Sequence, residues 1–170
     1  MSKICIGIDN GVTGAMAALD SDGAIIYLAP LPTTVVGKWT QLDSGVFRTQ
    51  LSGLIKDQLA HILVEPAQMF TPGKKALAST WFCYGALTAT LAGYPWEPIN
   101  PQRWQRVMFA DHVRAVDQKA EGGQRKKSAS IIVAQRLFPR AILTRTPKSK
   151  VPDSGICDAL LIAAYARRTR

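Results

Sequence analysis

The sequence predicts an α/β protein built on a central mixed sheet flanked by helices, and three observations carry that reading. Ile4, Ile6 and Ile8 alternate with Cys5, Gly7 and Asp9, the period of two expected of a strand. Short strand-like runs fill the opening of the chain, whereas helical spacing of apolar residues dominates the remainder. A helical segment also separates the first strands from the apolar run at 61–64, the crossover needed to lay two strands parallel.

The elements follow in order. The first strand ends in a carboxylate, Asp9, and Asn10, Gly11, Thr13 and Gly14 then form a tight turn. A second strand is expected over 15–19, and the Asp22–Gly23 pair turns it into a third over 24–28. Residues 33–42 read as another strand or an irregular edge. Apolar residues at Val46, Phe47, Leu51, Leu54, Ile55 and Leu59 predict an amphipathic helix over 46–59. The run at 61–64 reads as a buried strand that delivers Glu65 and is stopped by Pro66.

Residues 69–75, MFTPGKK, read as a loop, and a helix rich in small residues follows over 76–92, closed by Gly93. A last strand is expected over 96–100, with Pro101 opening a short helix that carries Arg103, Trp104 and Arg106. Residues 110–123 have no period and read as a mobile connection. The segment RKKSASIIVAQRLF (125–138) is an amphipathic helix closed by Pro139, residues 144–152 are a basic loop, and 153–168 form the final helix.

Composition bounds the function. With 170 residues, 47% hydrophobic and 19% charged, the chain suits one folded domain over 1–170. No apolar run is long enough to span a membrane and the N-terminus lacks a signal-peptide layout, so a cytoplasmic protein, in a bacterium or a phage-infected cell, is expected. Cys5, Cys83 and Cys157 lie far apart in apolar surroundings, which favours reduced core thiols over a zinc site. Residues 1–100 carry 6 Lys/Arg against 7 Asp/Glu, whereas residues 101–170 carry 15 against 5. A net charge of +9 concentrated in this way is the footprint of a phosphate-binding surface, although a solvated basic face has the same composition.

Three acids stand out. Asp9 and Glu65 each complete an apolar strand, and parallel pairing would bring both to one end of the sheet, where sites of open α/β sheets lie. Asp9 alone has a plainer explanation as a turn cap. Asp158 shares a helix face with Leu161, Ile162 and Tyr165, so it points toward the core and needs a partner. That partner is either a buried Arg or Lys or a divalent cation, and hard oxygen donors suit Mg²⁺ or Mn²⁺. Asp153 lies five residues earlier, about 140° around an ideal helix, so it joins the acids only from the preceding loop or a frayed first turn; otherwise it starts the helix.

GIDNGVTGA near the start, LVEPAQ in the middle and DSGICDALLIA at the end resemble the RuvC-type Holliday junction resolvases of the RNase H-like superfamily. The phage and chloroplast branches are similar in also placing a segment such as RKKSASIIVAQRLFP before the last acidic helix. The resemblance implies an RNase H-like fold, a homodimer, and two metal-bound sites that nick opposed strands of a four-way junction, leaving 5′-phosphate and 3′-hydroxyl ends. It implies two Mg²⁺ per site, replaceable by Mn²⁺, with Asp9, Glu65 and Asp158 as ligands and branched DNA as partner, and neither a nucleotide cofactor nor a membrane.

Two departures from the family pattern are visible. Relatives carry a His or Asp three residues before the last acid, where this chain has Gly155, leaving Asp153 as the replacement ligand. Some relatives place an aromatic wedge three residues after the middle acid; Gln68 stands there, and Phe70 is the candidate instead. Lys148 or Lys150 are candidates to offset charge on the reacting phosphate, and Lys74, Lys75, Arg103, Arg106, Arg125, Lys126 and Lys127 to contact DNA phosphates. Trp104 reads as core or interface, and Trp81, Phe82 and Tyr84 give the 76–92 helix apolar girth for a dimer contact. Alternatives are a related nuclease for flaps, D-loops or hybrids, a non-cleaving branched-DNA binder, and a sugar- or acetate-kinase fold, for which the chain is too short.

Overall fold

The computed structural model describes residues 3–56, 58–68, 73–110 and 123–169, and over 123–128 the backbone alone. A five-stranded sheet in the order β3-β2-β1-β6-β7 is built from β1 (Lys3–Asp9), β2 (Ala15–Leu19), β3 (Ile25–Pro30), β6 (Leu59–Val64) and β7 (Trp96–Pro98). The first three strands form an antiparallel meander, while β6 runs parallel to β1 and β7 parallel to β6. The sheet is therefore mixed, as the strand–helix–strand pattern requires.

Alternation along β1 divides the core into two layers. Ile4, Ile6 and Ile8 face one layer with Met16, Ile62 and Val64, covered by α1 (Ser44–Ile55) and α2 (Lys74–Thr90). Cys5 faces the other with Ala17 and Leu63, covered by α3 (Pro101–Phe109), α4 (Gly123–Leu137) and α5 (Ser154–Arg168). Gly7 belongs to this second face: a Cβ there would stand 2.3 Å from Ala159 O and 2.3 Å from Ala163 N, so glycine lets α5 lie directly on β1.

Helix α5 is covered on nearly every side. Every residue from Ile156 to Ala166 except Asp158 is buried, because β1, β2 and β6 lie on one side and α3 and α4 on the other. A helix covered on all sides is apolar on all sides. Full burial of Leu160, Leu161 and Ile162 stabilises the packing by about 1.5–3 kcal/mol for each side chain.

Several boundaries move. Helix α1 stops at Ile55, where Lys56 turns the chain with φ 34°, and Leu59 starts β6 instead of finishing the helix. The helix predicted over 76–92 begins earlier, so Lys74 and Lys75 form its first turn and not the end of a loop. Residues 33–42 form a separate two-stranded hairpin of β4 (Thr33–Val36) and β5 (Trp39–Leu42), paired from Thr33–Leu42 to Val36–Trp39. The connection expected over 110–123 falls largely on residues 111–122, outside the described part. Among the described residues no helix is long and apolar enough to cross a membrane.

Candidate active site

The register of β1 and β6 places the first two acids. Ile8 pairs with Val64, and the Glu65 backbone N–H donates to Ile8 O at 2.9 Å. One residue further, Asp9 and Glu65 stand side by side at the C-terminal ends of parallel strands, on the face that carries Gly7 and Leu63. Helix α5, seated on that face, brings Asp158 against Asp9. The three acids named from the sequence are thus gathered at one end of the sheet.

Their electrostatics follow from this crowding. Burial raises the Asp9 carboxyl well above the usual carboxylate range, and the negative charges of Asp158, Glu65 and Asp153 push it further in that order. Arg145 is the counterweight that lowers it. A carboxylate surrounded by three others is stable in its charged form only with added positive charge nearby.

Asp153 is the N-cap of α5: its Oδ1 accepts from Ile156 N at 3.0 Å. Arg145 grips the same carboxylate through a fork, Nε to Oδ2 at 2.7 Å and Nη2 to Oδ1 at 3.1 Å. Burial works to raise the Asp153 carboxyl, but the Arg145 fork and the backbone N–H groups of Ile156 and Gly155 outweigh it and hold it below its ordinary value. Arg145 Nη2 also donates to Thr13 O, which ties the basic loop to the turn after β1. Asp153 is therefore the residue that starts α5, with the Arg145 guanidinium already on its oxygens.

Glu65 is held by a residue whose polar role the sequence did not disclose. Trp104, fully buried on α3, donates its indole N–H to Glu65 Oε2 at 3.0 Å, and Gln68 Nε2 donates to Oε1 at 3.4 Å. Pro101 at the first helical position and the Asn100 cap, which accepts from Gln102 N at 2.8 Å, start α3 and set Trp104 one turn in. On the other side, Asn10 Nδ2 donates to Thr80 O at 3.3 Å, docking the turn on α2.

Gly155 has a steric explanation. A Cβ at this position would stand 2.6 Å from Thr13 O and 2.9 Å from Asp9 Oδ2, so no side chain fits while the turn and α5 are this close. Packing of the turn on α5 thus leaves position 155 no room for a ligating side chain.

The donor chemistry, hard oxygens in mutual repulsion, fits a divalent cation. Asn10 adds a buried Oδ1 that has no hydrogen-bond partner among the described residues. As they stand, however, no group of three His, Cys, Asp or Glu side chains among the described residues is arranged to hold a metal ion. The cysteines offer no alternative chemistry: all three are buried and free, and burial, followed by the charges of Asp158 and Asp153, pushes the Cys157 thiol up to about 12.

The remaining candidates are dispersed. Lys148 and Lys150 are exposed on the loop that carries Arg145, and among the described residues the cation that lowers Asp9 is Arg145. Lys74 and Lys75 are exposed at the start of α2. Arg103 and Arg106 are exposed on α3, with Arg103 lining a cleft of about 490 Å³ alongside His61, Glu97 and Tyr165. Arg125, Lys126 and Lys127 lie in the first turns of α4, whose side chains are outside the description, and Phe70 is outside the described residues.

No protein-family model and no curated protein matches the chain. Among solved structures, T. thermophilus RuvC in complex with a Holliday junction substrate superposes with a TM-score of 0.51 at 15% identity, covering 98% of this chain and 96% of that one. The architecture is thus the RuvC-like, RNase H-like α/β fold.

Proposed function

We propose that this protein is a structure-selective, divalent-cation-dependent DNA endonuclease that resolves four-way junctions by paired nicks, in the manner of the phage and chloroplast branches of RuvC-type enzymes. The observation that supports the reading is the gathering of Asp9, Glu65 and Asp158 from β1, β6 and α5 at one sheet end, in a fold shared with RuvC. Asp9, Glu65 and Asp158 are the proposed ligands of Mg²⁺ or Mn²⁺, two ions per site. Bound there, the cations supply Lewis acidity at the scissile phosphate and an activated water, giving 5′-phosphate and 3′-hydroxyl ends.

The side chains of the protein do the rest. Trp104 and Gln68 aim the Glu65 carboxylate, and Asp153 holds Arg145 beside Asp9 as a permanent cation toward the reacting phosphate. Lys74, Lys75, Lys148, Lys150, Arg103, Arg106 and the Arg125–Lys127 cluster are the proposed phosphate contacts, which position the arms without reading sequence. Two sites facing one branch point call for a homodimer, and exposed Trp81, packed edge-on against Tyr84 at 6.0 Å on α2, is its proposed contact.

The test is cleavage of an immobile four-way junction with Mg²⁺ or Mn²⁺, comparing wild type with Asp9→Asn. Symmetrical nicks by wild type, lost in the variant while junction affinity persists, are expected. Equal cleavage by both proteins rules the reading out, and binding without any cleavage by wild type leaves a branched-DNA binder.

A further inference from the structure

The β4–β5 hairpin has no part in the carboxylate site, yet it bears an unusual surface. Trp39 is 50% exposed, Val36 54% and Phe82, across on α2, 59%. A groove of about 320 Å³ between hairpin and helix is lined by Val36, Trp39, Gln41, Ala78 and Phe82, among others. A second hollow of about 530 Å³ shares Trp39, Thr40 and Ser79 with it and runs past Lys38 and Lys75 to Val12, three residues after Asp9. No carboxylate among the described residues lines either hollow. Lys75 Nζ sits 5.4 Å from the Trp39 ring centroid, so one face of the indole is held by a cation.

We infer that this groove is a stacking site for an unpaired DNA base beside the branch point, with Trp39 as the platform and Lys38 and Lys75 on the flanking phosphates. The inference rests on the nuclease reading for the kind of DNA involved. Its chemistry, an exposed indole next to lysines and hydroxyls without acids, is that of a single-strand-binding surface. The hollow opens toward the turn that carries the carboxylate site, so a strand lying at Asp9 passes the hairpin. A second copy of the chain is the poorer occupant: a two-fold contact centred on the groove brings Lys38 and Lys75 close to their own counterparts.

The experiment measures metal-free binding of the whole chain to three DNAs: a four-way junction with 2-aminopurine at the branch, a short 2-aminopurine single strand, and a fully paired duplex. Wild type is expected to quench 2-aminopurine in the first two. Trp39→Ala should abolish the quench and weaken both by about tenfold or more, the scale of losing one base–aromatic stack. Trp39→Phe should retain most of the affinity, duplex binding should be unchanged in both variants, and their melting temperatures should match wild type.

An unchanged quench in Trp39→Ala, or an equal loss on duplex and single strand, overturns the inference. A shift from dimer to monomer in sedimentation also overturns it and makes the groove a contact between copies. If Trp39 stacks on single strands but wild type shows no preference for the junction over duplex, the junction reading falls and the stacking site stands. If the junction is cleaved and Trp39→Ala behaves as wild type, the reverse holds.

Discussion

Trp104 Nε1 donates to Glu65 Oε2 at 3.0 Å, joining a fully buried indole on α3 to an acid 39 residues earlier at the end of β6. The bond fixes one oxygen of a half-buried carboxylate at the end of the sheet that carries Asp9. Packing and hydrogen bonding can be separated here, since a phenyl ring fills most of the same space.

Replacement of Trp104 by Phe should therefore cost stability through lost volume, about 1–3 kcal/mol. It should also lower junction nicking by about tenfold, through loss of a hydrogen bond to a charged group. Isothermal titration with Mn²⁺ checks the cause: weaker binding than wild type is expected, whereas unchanged Mn²⁺ affinity at reduced stability would reduce Trp104 to core filling.

Gly7→Ala probes the contact of β1 with α5. Its Cβ meets backbone atoms at 2.3 Å, which cannot rotate away, so strand and helix must separate. A loss of about 3 kcal/mol or more is expected in chemical denaturation. Gly155→Ala meets the Thr13 backbone carbonyl at 2.6 Å and the Asp9 carboxylate at 2.9 Å, so the turn and α5 must part and both stability and nicking should fall. Wild-type behaviour of Gly7→Ala would contradict the packing described.

Arg145 and Asp153 form a forked pair with side chains 28% and 21% exposed. A double-mutant cycle with Arg145→Met and Asp153→Asn should yield a coupling of about 1–3 kcal/mol near neutral pH. The Asp153 carboxyl lies below its ordinary value in the folded state, so this stability is complete above the unfolded value of about 4 and disappears as pH falls through the folded one. Coupling that persists in strong acid would show that charge is not its source.

Asp9 has the opposite sign. Its carboxyl is raised on folding, so the folded state holds more protons than the unfolded one above about pH 4, and stability falls as pH climbs from there through the folded value. In metal-free buffer Asp9→Asn should match wild type near pH 4 and melt at higher temperature toward neutrality. Adding Mg²⁺ or Mn²⁺ should raise the melting temperature of wild type and leave the variant unmoved. A variant less stable than wild type at neutral pH without cations would mean that the acids do not repel as described.

The main frame was legible locally. Alternation at Ile4, Ile6 and Ile8, the run ending at Glu65 and the spacing of Leu161, Ile162 and Tyr165 from Asp158 each lie within one element, where side-chain direction follows from the backbone period. The hairpin at 33–42 and the end of α1 were less so. Val35, Val36 and Trp39 are apolar yet exposed, which defeats a pattern read as burial, and Leu59 continues the period of a helix that Lys56 has already ended.

By itself the sequence determined the α/β class, the three strand- and helix-borne acids and the basic second half, because hydrophobic period and charge are properties of neighbouring residues. Only the tertiary structure decided that Arg145 would reach Thr13 and Asp153, that Trp104 would bind Glu65, and that position 155 has no room for a side chain. The hydrogen bonds among them join residues up to 132 apart, and all of these distances depend on strand register and on how closely α5 settles over Gly7. No local period encodes such a fit; it exists once the layers have packed.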